Sequence, residues 1–321
     1  MSKLTNFPGG ASSFGIPLMG GGGIPATFGD VFFVDYRNGI DGNDGKSKDR
    51  AFKTLSQAYS KVTTNHNDII LVDGDSTVAE TAMITWAKNR VHVVGLNGPA
   101  GHYGQGAKIS IGVTTAATDI ALLKVMGVRN TFSNLKFISD NTVAEGLYTV
   151  ADNGEYSRYF NCEFYKSTDL DDAGASELLL NGDSSMFYNC TIGSSANITG
   201  NIRANVLCTN VLGNLRDCYF ENCLLLAKAD DTDKVFVYGA NADDVERMLT
   251  FKGCTFFNNP LSAGTPAAAI AFGAAQTEGA VFCDANCAVV DVTVLGTTGQ
   301  NIFVSPADGS TYATAGLSVQ A

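Results

Sequence analysis

Three acidic clusters and a set of spaced cysteines are the residues of this chain whose types could do chemistry. The acids fall at Asp169-Leu170-Asp171-Asp172, Asp230-Asp231-Thr232-Asp233 and Asp243-Asp244. Two carboxyls about 6.5–9.5 Å apart can act as acid and base in inverting glycoside hydrolysis. Asp169, Asp171, Asp172, Asp231 and Asp233 are the candidates for such a pair. Their surroundings hold Gly, Ser, Thr or Asn, where turn acids are commonplace. The cysteines raise metal or redox chemistry. Cys218 and Cys223 are five apart and Cys283 and Cys287 four apart, so neither pair has C-x-x-C spacing. His66, His92 and His102, the three histidines, lie in a different region of the chain. No metal and no cofactor is expected on that pattern.

The cysteines instead follow a period. The stretches Asn161-Cys162-Glu163-Phe164, Asn189-Cys190-Thr191-Ile192, Asn222-Cys223-Leu224-Leu225, Gly253-Cys254-Thr255-Phe256 and Asn286-Cys287-Ala288-Val289 repeat one unit, opened by Asn134-Leu135-Lys136-Phe137. Their first residues are 27, 28, 33, 31 and 33 apart. Phe132, Tyr159, Phe187, Phe220 and Phe251 each precede the first position by two, which is strand alternation. A second apolar strand follows each unit, marked by Leu147, Leu178, Val206, Val235, Ala269 and Ile302, at steps of 31, 28, 29, 34 and 33. Two markers at one period define stacked coils. The chain is therefore expected to be all-β, a parallel β-helix with two traceable strands per coil. Cys162, Cys190, Cys223, Cys254 and Cys287 then form a ladder on one inner face, since Cys is small and readily buried.

The bulk numbers agree. A chain of 321 residues with 45% hydrophobic and 17% charged content is ordered, and a repeat array of that length can run as one domain. A net charge of −11 repels phosphate backbones and anionic membrane surfaces, which argues against nucleic-acid partners. No apolar run approaches the roughly 20 residues of a membrane-spanning helix, so no membrane insertion is expected. Without a visible secretory signal, the expectation is folding in a reducing cytoplasm with free thiols.

Residues 1–29 differ from the rest. Gly and Pro exclude a helix or central strand there, yet Phe7, Phe14, Ile16, Leu18, Met19, Ile24 and Phe28 are apolar. That combination fits an arm that orders against a partner. Residues 30–75 form a cap: the strand Val31-Phe32-Phe33-Val34, the turn Asp41-Gly42-Asn43-Asp44-Gly45, an amphipathic helix over 51–62 and the strand Asp68-Ile69-Ile70-Leu71-Val72-Asp73. In the helix Phe52, Leu55, Ala58, Tyr59 and Val62 share a face. The turn misses calcium-loop spacing by one residue and lacks the distal Glu. Coils are expected over 76–306 and a short tail over 307–321.

This succession of strand, Gly/Asp/Asn turn, Ala51-Phe52-Lys53-Thr54-Leu55 helix and strand resembles the opening of right-handed parallel β-helix proteins. These are the pectin-lyase-like folds, which include many phage tailspikes. The resemblance covers residues 30 to about 306. It implies a right-handed solenoid whose open first coil is covered by the helix. It also implies two functional settings. One is a tailed-phage virion protein decorating or cementing the capsid, its arm docked on the major capsid protein or another virion protein, and expected as a homodimer or homotrimer. The other is a tail spike that binds or cleaves host surface glycan. The expected localisation is the virion, with assembly in the host cytoplasm. No separate trimerisation element is visible in residues 307–321, which favours decoration and a non-enzymatic role.

Overall fold

The structure is a computed structural model. It describes residues 29–73, 79–96, 107–112, 118, 120–140, 147–166, 174–194, 204–211, 215–229, 234–259, 264–274, 277–296 and 301–305, and the backbone of the two-residue strands Ser12–Ser13, Ile16–Pro17 and Ser318–Val319. Strands come in a fixed rotation over three parallel sheets. One coil runs Arg158–Phe160, Glu163–Lys166, Ser176–Leu180 and then Met186–Tyr188, back on the first face one layer further on. The first face extends from Val31–Asp35 to Ile302–Ser305, the second from Lys108–Ile111 to Ala288–Val290, and the third from Ile84–Trp86 to Val294–Gly296.

The repeated unit is the corner between the first and second faces. Asn134, Asn161, Asn189, Asn222 and Gly253 sit there at φ of 56°, 52°, 52°, 52° and 59°. Gly adopts that left-handed conformation freely, and Asn is among the residues that tolerate it best. One such residue swings the chain by a full corner. The following Cys points inward, and the next strand starts at once. From Lys108–Ile111 to Val294–Gly296 each coil therefore has three strands, where the sequence pattern marks two. The missed strand is short, three or four residues such as Glu163–Lys166 and Thr191–Gly193, and no loop separates it from the first.

The corner also fixes what stacks in the core. Register pairs Phe132 with Tyr159, Tyr159 with Phe187, Phe187 with Phe220 and Phe220 with Phe251. Their rings stack at centroid distances of 5.2, 4.7, 4.5 and 4.9 Å. Phe164 and Phe256 meet this column edge-on. Such pairs are worth about 0.5–1.5 kcal/mol each beyond their buried area. Val150, Leu178, Val206, Val237 and Ile270 line the third face of the same core.

At the N-terminal end the helix is Leu55–Lys61, shorter than the span expected from periodicity. Phe52 pairs with Val34 as an extended bridge instead, and Thr54 caps the helix by accepting from Gln57 N. The Asp41 carboxylate accepts from the amides of Lys53 and Thr54 and from Thr54 Oγ1, which holds the preceding segment. Buried Glu80 accepts from Leu55 N at 2.8 Å, Ser56 Oγ at 2.6 Å and Tyr36 Oη at 2.6 Å. The helix is thereby fastened to the first coil, with Leu55 and Ala58 in the core.

Phe187→Ala is expected to lower unfolding free energy by about 3–5 kcal/mol, because it opens a cavity in the middle of the column. Phe282→Ala, at a half-buried outer position, should lose far less. Urea midpoints of the two variants check this.

Candidate functional site

Asp169, Asp171, Asp172, Asp231 and Asp233 lie outside the described residues. So do Phe7, Phe14, Leu18, Met19, Ile24 and Phe28. Ile16 falls in the strand Ile16–Pro17, which pairs antiparallel with Ser12–Ser13. Asp243 and Asp244 are described: Asp244 is buried and accepts from Asn241 N at 2.7 Å. Cys162, Cys190, Cys223, Cys254 and Cys287 occupy successive inner corner positions. Each thiol contacts the carbonyl of an aromatic-column residue one coil back: Phe132, Tyr159, Phe187, Phe220 and Phe251 respectively. Burial pushes the Cys190 and Cys223 thiols well up, away from the reactive thiolate.

Lys166, Glu177 and Lys234 form a buried charge cluster that sequence reasoning missed. Lys166 and Lys234 are 2% and 1% exposed and Glu177 is fully buried. Burial lowers Lys166 to about 8, and burial raises Glu177 against the pull of Lys234 and Lys166. Asn205 Nδ2 donates to Leu226 O at 2.7 Å and to Glu177 Oε2 at 3.3 Å. A Cβ at Gly193, φ 95°, would lie 2.0 Å from that nitrogen, so the corner needs glycine. Nothing in the local sequence distinguishes these lysines from exposed ones.

A second interior acid lies at the corner between the third and first faces. Asp152 is fully buried, and its Oδ1 accepts from Gly154 N at 3.1 Å and Ser157 Oγ at 3.2 Å. Tyr159 Oη and Ser185 Oγ face the same carboxyl and partly offset its burial. Burial raises the carboxyl to about 6.

Asp30, His66 and Asp68 bring three potential metal-ligand atoms within 4.8 Å of one another. Their oxygens are already engaged. Asp68 accepts from the amides of Asp30 and Thr63 and contacts His66 Nδ1, and Asp30 pairs with Lys46.

Two cavities open on the outer faces. One, of about 410 Å³, lies on the third face. Tyr148, Leu179 and Leu207 give it an apolar floor, and Asn153, Asn181 and Asn241 supply amides. Asn181 Nδ2 donates to Asn153 Oδ1 at 3.2 Å, so the amides run as a ladder between coils. The other, of about 300 Å³, lies on the first face among Arg90, Arg129 and Arg158, over His92. Neither cavity lining brings two carboxylates together.

Comparison with known proteins bears on the fold. No family model matches the chain. No curated protein matches it in sequence. Solved structures do match in shape. A pectin methylesterase from Aspergillus niger superimposes with a TM-score of 0.57 at 14% identity, over 89% of this chain and 83% of that one. Pectin methylesterase PemA from Erwinia chrysanthemi gives 0.59 at 12% identity, over 90% and 92%. The ORF18 protein of Geobacillus virus E2 gives 0.51 at 12% identity, over 88% of this chain and 62% of its own. The protein has the right-handed parallel β-helix fold of the pectin-lyase-like class, with the short α-helix Leu55–Lys61 across its N-terminal coils.

Asp152 makes stability depend on pH. Its folded pKa of about 6 lies above the model-compound 3.8, so the proton is held more tightly in the folded chain. The resulting stabilisation is complete below pH 3.8 and is lost as pH rises through about 6. Relative to Asp152→Asn, the wild type should lose about 3 kcal/mol between pH 4 and pH 7. Urea unfolding of both proteins across that range measures the difference.

Proposed function

We propose that the protein is a non-enzymatic structural component of a tailed-phage particle. In this role residues 1–29 dock on the major capsid protein or a neighbouring virion protein, and the solenoid projects from the capsid surface. The observation that carries it is the order of the sequence: an apolar, Gly/Pro-rich segment over residues 1–29 precedes a capped solenoid. A parallel solenoid gives length and stiffness without a separate catalytic domain. Copies pairing along the flank as dimers or trimers would multiply the attachment of a short arm. The fold itself is shared by pectin methylesterases and a viral protein, and fold alone does not choose between them.

A second role is supported by the third-face cavity. An apolar floor containing Tyr148 beside a ladder of Asn side chains is suited to a sugar, whose faces are apolar and whose rim is hydroxyl. In this role the protein is a spike that binds or cleaves host surface glycan, with Asp171 and Asp231 as the acids.

Deleting residues 1–28 should leave the thermal melt of the solenoid unchanged and abolish binding to particles that lack the protein. Cosedimentation of truncated protein with such particles would overturn capsid docking. For the glycan role, incubation with host surface polysaccharide should release oligosaccharide, and Asp171→Asn or Asp231→Asn should slow it. No product with any host-derived glycan, and no retention of the protein on one, would rule that role out.

A further inference from the structure

The first-face cavity has no counterpart in the roles above. At the corner leading from the third face to the first, successive coils place Arg90, Arg129 and Tyr156 at equivalent positions. Their φ values are 54°, 59° and 55°. Their amides donate to Val128 O, Glu155 O and Asp183 O, so the three corners are stacked in register. On the adjoining strands His92, Thr131 and Arg158 are aligned in the same way. Coils lie about 4.8 Å apart. Three guanidinium-bearing residues from three consecutive coils therefore surround one opening of about 300 Å³.

Among the described residues these arginines have no carboxylate partner. Further along the same face the pattern differs, since Arg216 pairs with Glu246 and Arg247 with Asp217. The Arg129 guanidinium lies over the Tyr156 ring at 5.2 Å, which fixes its direction. At the cavity floor His92 is 3% exposed, and neither ring nitrogen has a hydrogen-bond partner. A buried, unpaired polar side chain is costly unless something completes it. Burial lowers His92 to about 4, so at neutral pH the ring is uncharged and keeps one N–H to donate. The acid behind it, Asp68, is engaged by amides and His66. No carboxylate lines the cavity.

We propose that this cavity binds a tetrahedral oxyanion of the phosphate or sulfate class. Arg90, Arg129 and Arg158 supply charge and paired donors, and His92, Thr131 and Tyr156 supply single donors from below and beside. Guanidinium groups match such oxyanions in geometry, and the low-dielectric floor strengthens the contact. In a chain of net charge −11, a bare surface would repel the same ligand. The anion therefore requires this local concentration of arginine.

The three histidines make the test specific, because His92 can be followed by its own ring resonance. Full-length protein is titrated at constant ionic strength with sodium sulfate, inorganic phosphate, glucose 6-phosphate and, as control, sodium chloride. The His92 ring resonance should shift and saturate with the oxyanions and not with chloride. Arg129→Ala and Arg158→Gln, both checked for an unchanged melt, should each raise half-saturation about tenfold or more. Tighter saturation by glucose 6-phosphate than by phosphate identifies a phosphosugar as the source, and equal saturation identifies the free anion. A linear shift without plateau, an equal shift with chloride, or unchanged half-saturation in both variants would overturn the site.

Discussion

A single left-handed residue at one corner of each coil governs the rest of the molecule. Asn134, Asn161, Asn189, Asn222 and Gly253 turn the chain in one step. Because side chains alternate along a strand, a slip of one residue at this corner would send the aromatic column outward. Keeping the corner in register keeps Phe132, Tyr159, Phe187, Phe220 and Phe251 in one stack. It also sets each corner cysteine against the carbonyls around it. Asn161 Nδ2 donates to Asn134 Oδ1 at 3.0 Å, so even the turn side chains carry the register to the next coil.

This geometry leaves little room for chemistry inside. A narrow core pushes acids and thiols toward their neutral forms, as at Asp152, Glu177, Cys190 and Cys223. Where charge does remain buried, as at Lys166, Glu177 and Lys234, opposite signs gather at one corner. Breaking such a group is costly, although its net contribution to stability need not be large. Exchange with solvent, and therefore any ligand, belongs to the outer faces and the loops.

The fold was legible because periodicity is carried by large side chains. The aromatic column and the apolar third-face strands each repeat at about 30 residues, and the markers locate those two strands from Leu147 to Ala269. The last marker, Ile302, instead lies on the first face, beside Val281, and the third-face strand of that coil is Val294–Gly296. The third strand was hidden because no turn signal precedes it: Asn161 and Cys162 alone separate Phe160 from Glu163. The helix was drawn too long because Phe52 has helical spacing from Leu55 and Tyr59, whereas pairing with Val34 takes it into the sheet. The cavities were not legible at all. Arg90, Arg129 and Arg158 lie 39 and 29 residues apart and share no local motif, so only coil register brings them together. Leu179 and Leu207 looked like ordinary strand residues for the same reason.

Register also explains how a repeated backbone can carry unrepeated function. The corner that places Arg90 and Arg129 continues through Tyr156, Ser184 and Asp217, at φ of 55°, 55° and 48°. For Arg90, Arg129, Tyr156 and Ser184 a left-handed conformation is uncommon, at a cost of order 1–3 kcal/mol each. The cost is offset by the amide of the same residue, which bonds to the next coil in every case from Arg90 to Ser184. Backbone hydrogen bonds hold the corner whatever side chain it bears. The side chain is then free to change from basic to aromatic to acidic along the axis without disturbing the coil. A solenoid of this kind separates what stacks from what binds, and a surface property can be confined to two or three adjacent coils. The change from Arg90, Arg129 and Arg158, which have no carboxylate partner among the described residues, to the Arg247–Asp217 and Arg216–Glu246 pairs later on is such a confinement.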